Sequence, residues 1–375
     1  MLVALSLSAL FTLAIPIQAA KGLSILTPIF GATFMSMDAN RVASLDTGTG
    51  MISVFDIPSG AVTVFAPPTV FTTAPQIYGD KVVIANGPAL AALTSLMYCV
   101  LPVPLGPCGP WIVVAVGLPS LSTFVLWSFP VFHGDIVAWP VAGGLNYYSF
   151  HAGGITAVPT AGVQPVGVST NGDIISFVAG GVLNYADTTD CVGPCVPPIV
   201  ATALPAASAA TSISQNVIVF NEPGAPSLIR YYDVLSGIAS PAGGGPIGTL
   251  GFGGANSPEI YGDRIAFLVS EASIGFDCNG DTVISGVDRC IRYWNFRNPA
   301  VLLTPAAAPP TAPGGGNVPF AIYDRYIAYL GPTGVRYITV PMQGDVNLDG
   351  VVNILDLAAA AFCFTEPIKN AVPPC

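Results

Sequence analysis

Short apolar runs, each introduced by a tight polar turn, recur along the whole chain. The clearest instance is Pro258-Glu259-Ile260-Tyr261-Gly262-Asp263-Arg264-Ile265-Ala266-Phe267. A strand, a Gly-Asp turn and a second strand account for this pattern. The turn and the strand after it return in seven copies, at Asn40–Ser44, Gly79–Ile84, Gly134–Trp139, Gly172–Phe177, Gln215–Phe220, Gly262–Phe267 and Asp324–Tyr329. A valine or isoleucine recurs after the turn at positions 42, 82, 136, 174, 217, 265 and 327. A later strand ending in a polar residue follows, as in Ile52–Asp56, Leu183–Asp187, Ile229–Asp233 and Ile291–Asn295, and more loosely in Leu145–Ser149 and Val335–Thr339. The second copy has no clear match to it, and the Cys99–Cys108 segment is expected in its place.

Copies spaced by about 40 to 60 residues fall near the period of radial repeat folds, and each can supply about four strands. A four-stranded sheet with two apolar faces cannot cover them alone, whereas seven sheets packed radially can. The expected fold is therefore all-β, a seven-bladed β-propeller. The last copy is short, and the strand-like segment Leu23–Phe30 is expected to complete it and lock the ring. Removing residues 21–31 is then expected to lower the melting temperature sharply; an unchanged melt rules this closure out. Three stretches rich in Ala, Pro and Gly, at Ala201–Thr211, Pro241–Ser257 and Thr304–Asn317, read as surface loops.

Composition tests this picture. Hydrophobic residues make up 52% of the 375 and charged residues 9%. A membrane-spanning helix needs roughly 20 apolar residues without breakers. The charge-free run from Val82 to His133 contains seven prolines, so it suits short buried strands. Residues 1–20 read as a secretory signal, with an apolar core Leu2–Ile17 and small residues at Gln18-Ala19-Ala20. Their missing basic start leaves an uncleaved membrane anchor as the alternative. Eight cysteines fall into near-neighbour pairs, Cys99/Cys108, Cys191/Cys195, Cys278/Cys290 and Cys363/Cys375, which suits disulfides in an oxidising compartment. A net charge of −10 argues against nucleic acid as a partner.

The copies resemble those of secreted β-propeller proteins of the TolB-like or cell-surface type. The resemblance rests on Ile260–Phe267 and Ile229–Gly237 and covers roughly residues 35–341. It implies fold and says little about function.

Two stretches carry metal chemistry. In the tail, Asp345, Asn347, Asp349, Asn353 and Asp356 stand at loop positions one, three, five, nine and twelve, with the Val351 carbonyl at seven and Gly350 at six. That spacing wraps hard oxygens around one Ca2+ ion. It resembles a single type I dockerin repeat, and the family implies a short helix after the loop. Dockerins normally carry two such loops, and those that bind cohesin often have Ser or Thr at positions ten and eleven. Ile354 and Leu355 stand there, which speaks against cohesin and for a solitary cap or anchor. A second loop has the same spacing, with Asp277, Asn279, Asp281, the Val283 carbonyl, Ser285 and Asp288 as candidate ligands between Cys278 and Cys290. Thr282 at its sixth position fits the sharp turn poorly.

No catalytic constellation stands out. The repeated Gly-Asp pairs read as turn chemistry. His133 and His151 have no nucleophile beside them in sequence, and the acids Asp38, Asp46, Asp190, Glu222, Glu259, Glu271 and Glu366 are scattered. The organisation expected is a signal at 1–20, a propeller at 21–341 and a dockerin-like calcium tail at 342–375. The function expected is a secreted or cell-surface, calcium-binding, non-catalytic binding or scaffold module, with polysaccharide or a surface protein as partner. The alternative is an extracellular polysaccharide-degrading enzyme, which needs two facing carboxylates.

Overall fold

In the computed structural model the described residues lie between 32 and 339, excluding 88–94, 117–129, 192–195, 208–210, 224–227, 240–255, 278–281, 296–301, 309–319 and a few single or paired positions. Residues 1–31 and 340–375 are outside them, as are the expected strand Leu23–Phe30, the tail loop and the segment read as a signal. No helix among the described residues is long and apolar enough to cross a membrane.

Seven antiparallel sheets follow one another along the chain, and in each the strands pair in sequence order. Sheets one and three to six have four strands, sheet two has five, and sheet seven has three described strands. Sheet two gains its extra strand because its inner edge is broken at Thr73–Pro75, giving Phe71–Thr72 and Gln76–Tyr78 as separate strands on one partner. The innermost strands touch one another in succession around the ring, and Ala32–Asp38 of the first sheet meets Phe320–Tyr323 of the last.

Burial explains the apolar runs. The second strand of each sheet is covered on both faces; Val82, Val83, Ile84 and Ala85 are all 0% exposed. The outer strands are far wetter, as the exposed Val62, Val64, Ile112, Val113 and Ile155 show. Seven apolar clusters fill the seven gaps between sheets. The one that closes the ring joins Met35, Val42, Phe55 and Ile57 of the first sheet to Tyr326, Ala328, Val335 and Tyr337 of the last.

The repeat phrase is the inner strand, its turn and the second strand. Pairing across the turn links Asp38 to Arg41, Tyr78 to Lys81, His133 to Ile136, Ser214 to Val217, Tyr261 to Arg264 and Tyr323 to Tyr326, so each loop has two residues. The fourth sheet follows suit, since Thr170 pairs with Ile175 and Asn171 N–H donates to the Ile174 carbonyl. The first turn residue has positive φ in all seven, whether it is glycine (79, 134, 172, 262) or Ala39, Gln215 or Asp324. This pairing corrects the repeated apolar position. The equivalent residues are Val42, Val82, Val137, Ile175, Ile218, Ile265 and Ile327, each 1% exposed or less. The residues at 136, 174 and 217 precede that position, where the first, second and sixth copies carry Arg41, Lys81 and Arg264 and the seventh Tyr326.

All three expected loops are partly strand. Residues 201–205 belong to Ile199–Pro205 and residues 304–308 to Leu302–Ala308, both outer strands, while Thr211 and residues 256–257 open the inner strands Thr211–Ser214 and Asn256–Tyr261. The small residues of Ile199–Pro205 suit an edge that needs little packing, which composition alone reads as a loop. The second copy does have its third strand, Ser95–Val100, and Cys99 bridges from it to Cys108 in the following loop. Cys191 and Cys290 are also disulfide-bonded.

Candidate functional site

Each inner strand runs into its turn, so the seven residues just before the turns form one collar around the ring's axis, the fourth of them one residue past its strand. They are Asp38, Tyr78, His133, Asn171, Ser214, Tyr261 and Tyr323. The collar is stitched from sheet to sheet. Gly79 N–H donates to Asp38 Oδ2 at 2.6 Å, and Gly262 N–H to Ser214 Oγ at 2.8 Å. The Tyr78 and His133 rings meet at a tilt with centroids 4.5 Å apart, and those of Tyr261 and Tyr323 at 4.2 Å. The His133 ring hydrogen-bonds the Asn171 backbone, and Asn171 Nδ2 donates to the Gln215 carbonyl. Just outside, Arg41 donates to the Gly79 carbonyl at 3.3 Å and Arg264 to the Asp324 carbonyl at 2.6 Å.

Electrostatics shows that the collar converges. Burial holds the Asp38 carboxyl above its usual range, against the Gly79 N–H. Burial and then the Asp38 charge raise the Tyr78 phenol. Burial, the hydrogen bond with Tyr261 and the nearby Asp38 and Tyr78 raise Tyr323. Burial lowers His133, opposed by Asn171, Asp38 and Asp173, and its buried Nδ1 has no partner. The result is an aromatic and acidic mouth with one neutral-leaning imidazole.

The collar was missed in the sequence, although its signal was present as the residue before each repeat turn. Among the described residues, no two of the remaining acids are seen to pair. Glu259 lies two residues before Tyr261 on its inner strand, accepts from Ser212 Oγ at 2.9 Å, and is pushed by burial up to about 7. Glu259 is not among the charges that perturb Asp38, nor Asp38 among those that perturb Glu259. Asp46 caps its own turn through Gly48 N–H and Thr49, and Glu222 pairs with Arg230 at 2.9 Å. Glu271 is fully buried at the start of the single helical turn Glu271–Ile274. Asp190 and Glu366 are outside the described residues.

That helical turn leads into the loop 277–288. Asp277 Oδ2 accepts from Thr282 N–H at 2.8 Å, and Thr282 has φ 71°, so it does adopt the left-handed conformation that a sharp turn requires. Ser285 Oγ meets Asp288 Oδ2 at 2.5 Å and accepts from Asp288 N–H at 2.9 Å. Ala272 N–H donates to the Ser285 carbonyl, and Glu271 N–H to that of Asp288, pinning the loop's end to the helical turn. Val283 is exposed. Asn279 and Asp281 lie outside the described residues, as do Asp345, Asn347, Asp349, Val351, Asn353 and Asp356. Among the described residues no group of three or more His, Cys, Asp or Glu is placed to hold a metal ion.

No protein family and no curated protein matches the chain in sequence. Solved structures match its shape. It is similar to the RRP9 WD40 repeats at 10% identity and a TM-score of 0.55, covering 86% of this chain and 98% of that one. It is similar to U3-55K at 9% identity and 0.53, covering 86% and 99%. It is also similar to a chain of the Mitotic Checkpoint Complex at 12% identity and 0.51, covering 91% and 99%. WD40 repeats build propeller blades. The chain is a seven-bladed β-propeller. At these identities the likeness is one of fold, and the propeller's two faces have to be read from its own residues.

Proposed function

We propose that this propeller is a secreted or cell-surface, calcium-binding module that binds or scaffolds a partner and performs no chemistry. The observation that carries the binding reading is the collar. Seven strands each bring one residue to the same face, and three tyrosines, a histidine and an aspartate offer π surface, hydroxyls and charge together. Such mixed aromatic and polar groups are what recognition surfaces use. The inner-strand acids Asp38 and Glu259 are each engaged by a neighbouring sheet rather than by one another. The Cys99–Cys108 disulfide and the apolar first 20 residues support an oxidising compartment outside the cell.

The partner is a polysaccharide or a surface protein. A glycan array and a hydrolysis screen of the mature protein, with calcium present, separate this reading from the enzymatic one. Retention without turnover supports a binding module, and turnover of any glycan overturns it.

Calcium is proposed at two loops, 277–288 and 345–356. Support for the first is the Asp277–Thr282 contact, which already bends the loop around its first carboxylate. The bound ion would hold the loop's oxygens together and brace the face on which it lies. Calorimetry is expected to find two equivalents at about 10⁻⁴–10⁻³ M. The Asp345→Ala, Asp349→Ala double variant is expected to lose one of them. Unchanged stoichiometry in that variant rules the tail site out.

A further inference from the structure

Between the third and fourth blades, on the turn face, lies a cleft of about 400 Å³ that adjoins a second cavity of about 220 Å³. The two share Tyr147, Ser149, Ala152 and Cys191. The lip carries two carboxylates, Asp135 and Asp173, from the turns of the adjacent blades. These turns abut because both begin with glycine; a Cβ on Gly134 would stand 2.8 Å from the Gly172 Cα. Asp135 is held in place by the Ser149 hydroxyl at 2.5 Å and by His151 N–H at 2.9 Å, both on its Oδ2. The Asp173 carboxylate accepts no hydrogen bond among the described residues.

The chain's other repeats show how it ordinarily handles a turn aspartate. The residue after the turn is Lys81 beside Asp80, with Nζ 3.0 Å from the carboxylate. It is Arg264 beside Asp263, at 3.9 Å, and Arg264 also reaches Asp324 at 3.4 Å. At the third and fourth blades that position is Ile136 and Ile174. No Lys or Arg occurs anywhere from residue 82 to 229, while residues 131–205 contain Asp135, Asp173, Asp187 and Asp190. The two turn aspartates without a built-in cation are thus neighbours, and they border a cavity. Tyr147 lines that cavity, is 2% exposed, and has a buried hydroxyl with no partner. Its oxygen can accept as well as donate.

We propose that this cleft receives a basic side chain, arginine or lysine, of a protein partner. The two carboxylates at its lip are acceptors with no cation beside them, which a guanidinium or ammonium satisfies, and the His151 side chain shares that lip. The incoming cation does for Asp135 and Asp173 what Arg264 does for Asp263 and Asp324. The proposal rests on the binding-module reading and names the partner's chemistry on the turn face.

The test is titration of a capped, alternating Gly-Arg peptide into the full-length protein at low ionic strength, with a citrulline-for-arginine peptide as the neutral probe. The Asp135→Asn, Asp173→Asn double variant is expected to bind about tenfold more weakly or worse. The Asp80→Asn, Asp263→Asn double variant, which removes the same charge from self-paired turns, is expected to stay within about twofold. Equal weakening in both doubles means a diffuse field and overturns the cleft, as does no weakening in the first. Equal binding of the citrulline peptide, or calcium alone reproducing the Asp135- and Asp173-dependent signal, overturns the basic side chain as occupant. A cleft that fails while the array still retains a glycan leaves the binding module standing; turnover in the hydrolysis screen removes that reading instead.

Discussion

Replacing Gly134 with valine is expected to destabilise the protein by about 2–5 kcal/mol, more than the same change at any turn glycine with open space around it. Two costs combine. Gly134 sits at φ 61°, where an L side chain costs about 1–2 kcal/mol and a branched one more. Its Cβ would also lie 2.8 Å from the Gly172 Cα, and backbone cannot move aside as a flexible side chain can. Overpacking of this kind adds about 1–3 kcal/mol. Gly79 is the internal control, with φ 58° and nothing within 4 Å of an added Cβ. Gly79→Ala is therefore expected to show the conformational cost alone, about 1 kcal/mol. Chemical denaturation of both variants checks this, with Gly134→Ala held ready as the milder change. Equal losses at 79 and 134 would mean that the two turns do not abut.

Phe55→Ala is expected to cost about 3–5 kcal/mol, the usual range for emptying a buried aromatic site. Phe55 is 2% exposed and packs its ring 6.1 Å from that of Tyr337, across the junction of the first and last blades. Among the described residues that junction is held by side chains rather than by a strand shared between the two blades. Phe177→Ala, between blades three and four, gives the reference for an interior junction. Similar unfolding free energies for the two establish that the closing junction is packed as firmly as the others. A much smaller loss at Phe55 places the closure in residues other than these.

These expectations mark which parts of the molecule could be read from its residues. The ring was legible because one local solution, a positive-φ turn leading into a strand buried on both faces, recurs seven times. Register was less so. Ile136 and Val137 are both apolar, and only pairing with His133 shows which one takes the position of Val82. The outer strand at 199–205 hid behind small residues, because an exposed edge places little demand on side-chain type. The collar was hidden for another reason. Asp38, Tyr78, His133 and Tyr261 share no chemistry in sequence and become a group only when the ring brings the strand ends together. The cleft needs one further step, since Asp135 and Asp173 are 38 residues apart and meet through two glycines.

The uneven placement of cations has a consequence for how a partner arrives. With no Lys or Arg between 82 and 229, Asp135, Asp173, Asp187 and Asp190 stand without a cation near them in sequence, whereas acids of the later blades are interspersed with arginines, as Glu222 is with Arg230 and Asp263 with Arg264, so the negative field is strongest over the third and fourth blades. A basic partner diffusing toward it is turned before contact, so that its charge leads into the third and fourth blades. Steering of this kind acts on the association rate more than on the lifetime of the complex, and it fades as salt shortens the reach of the field.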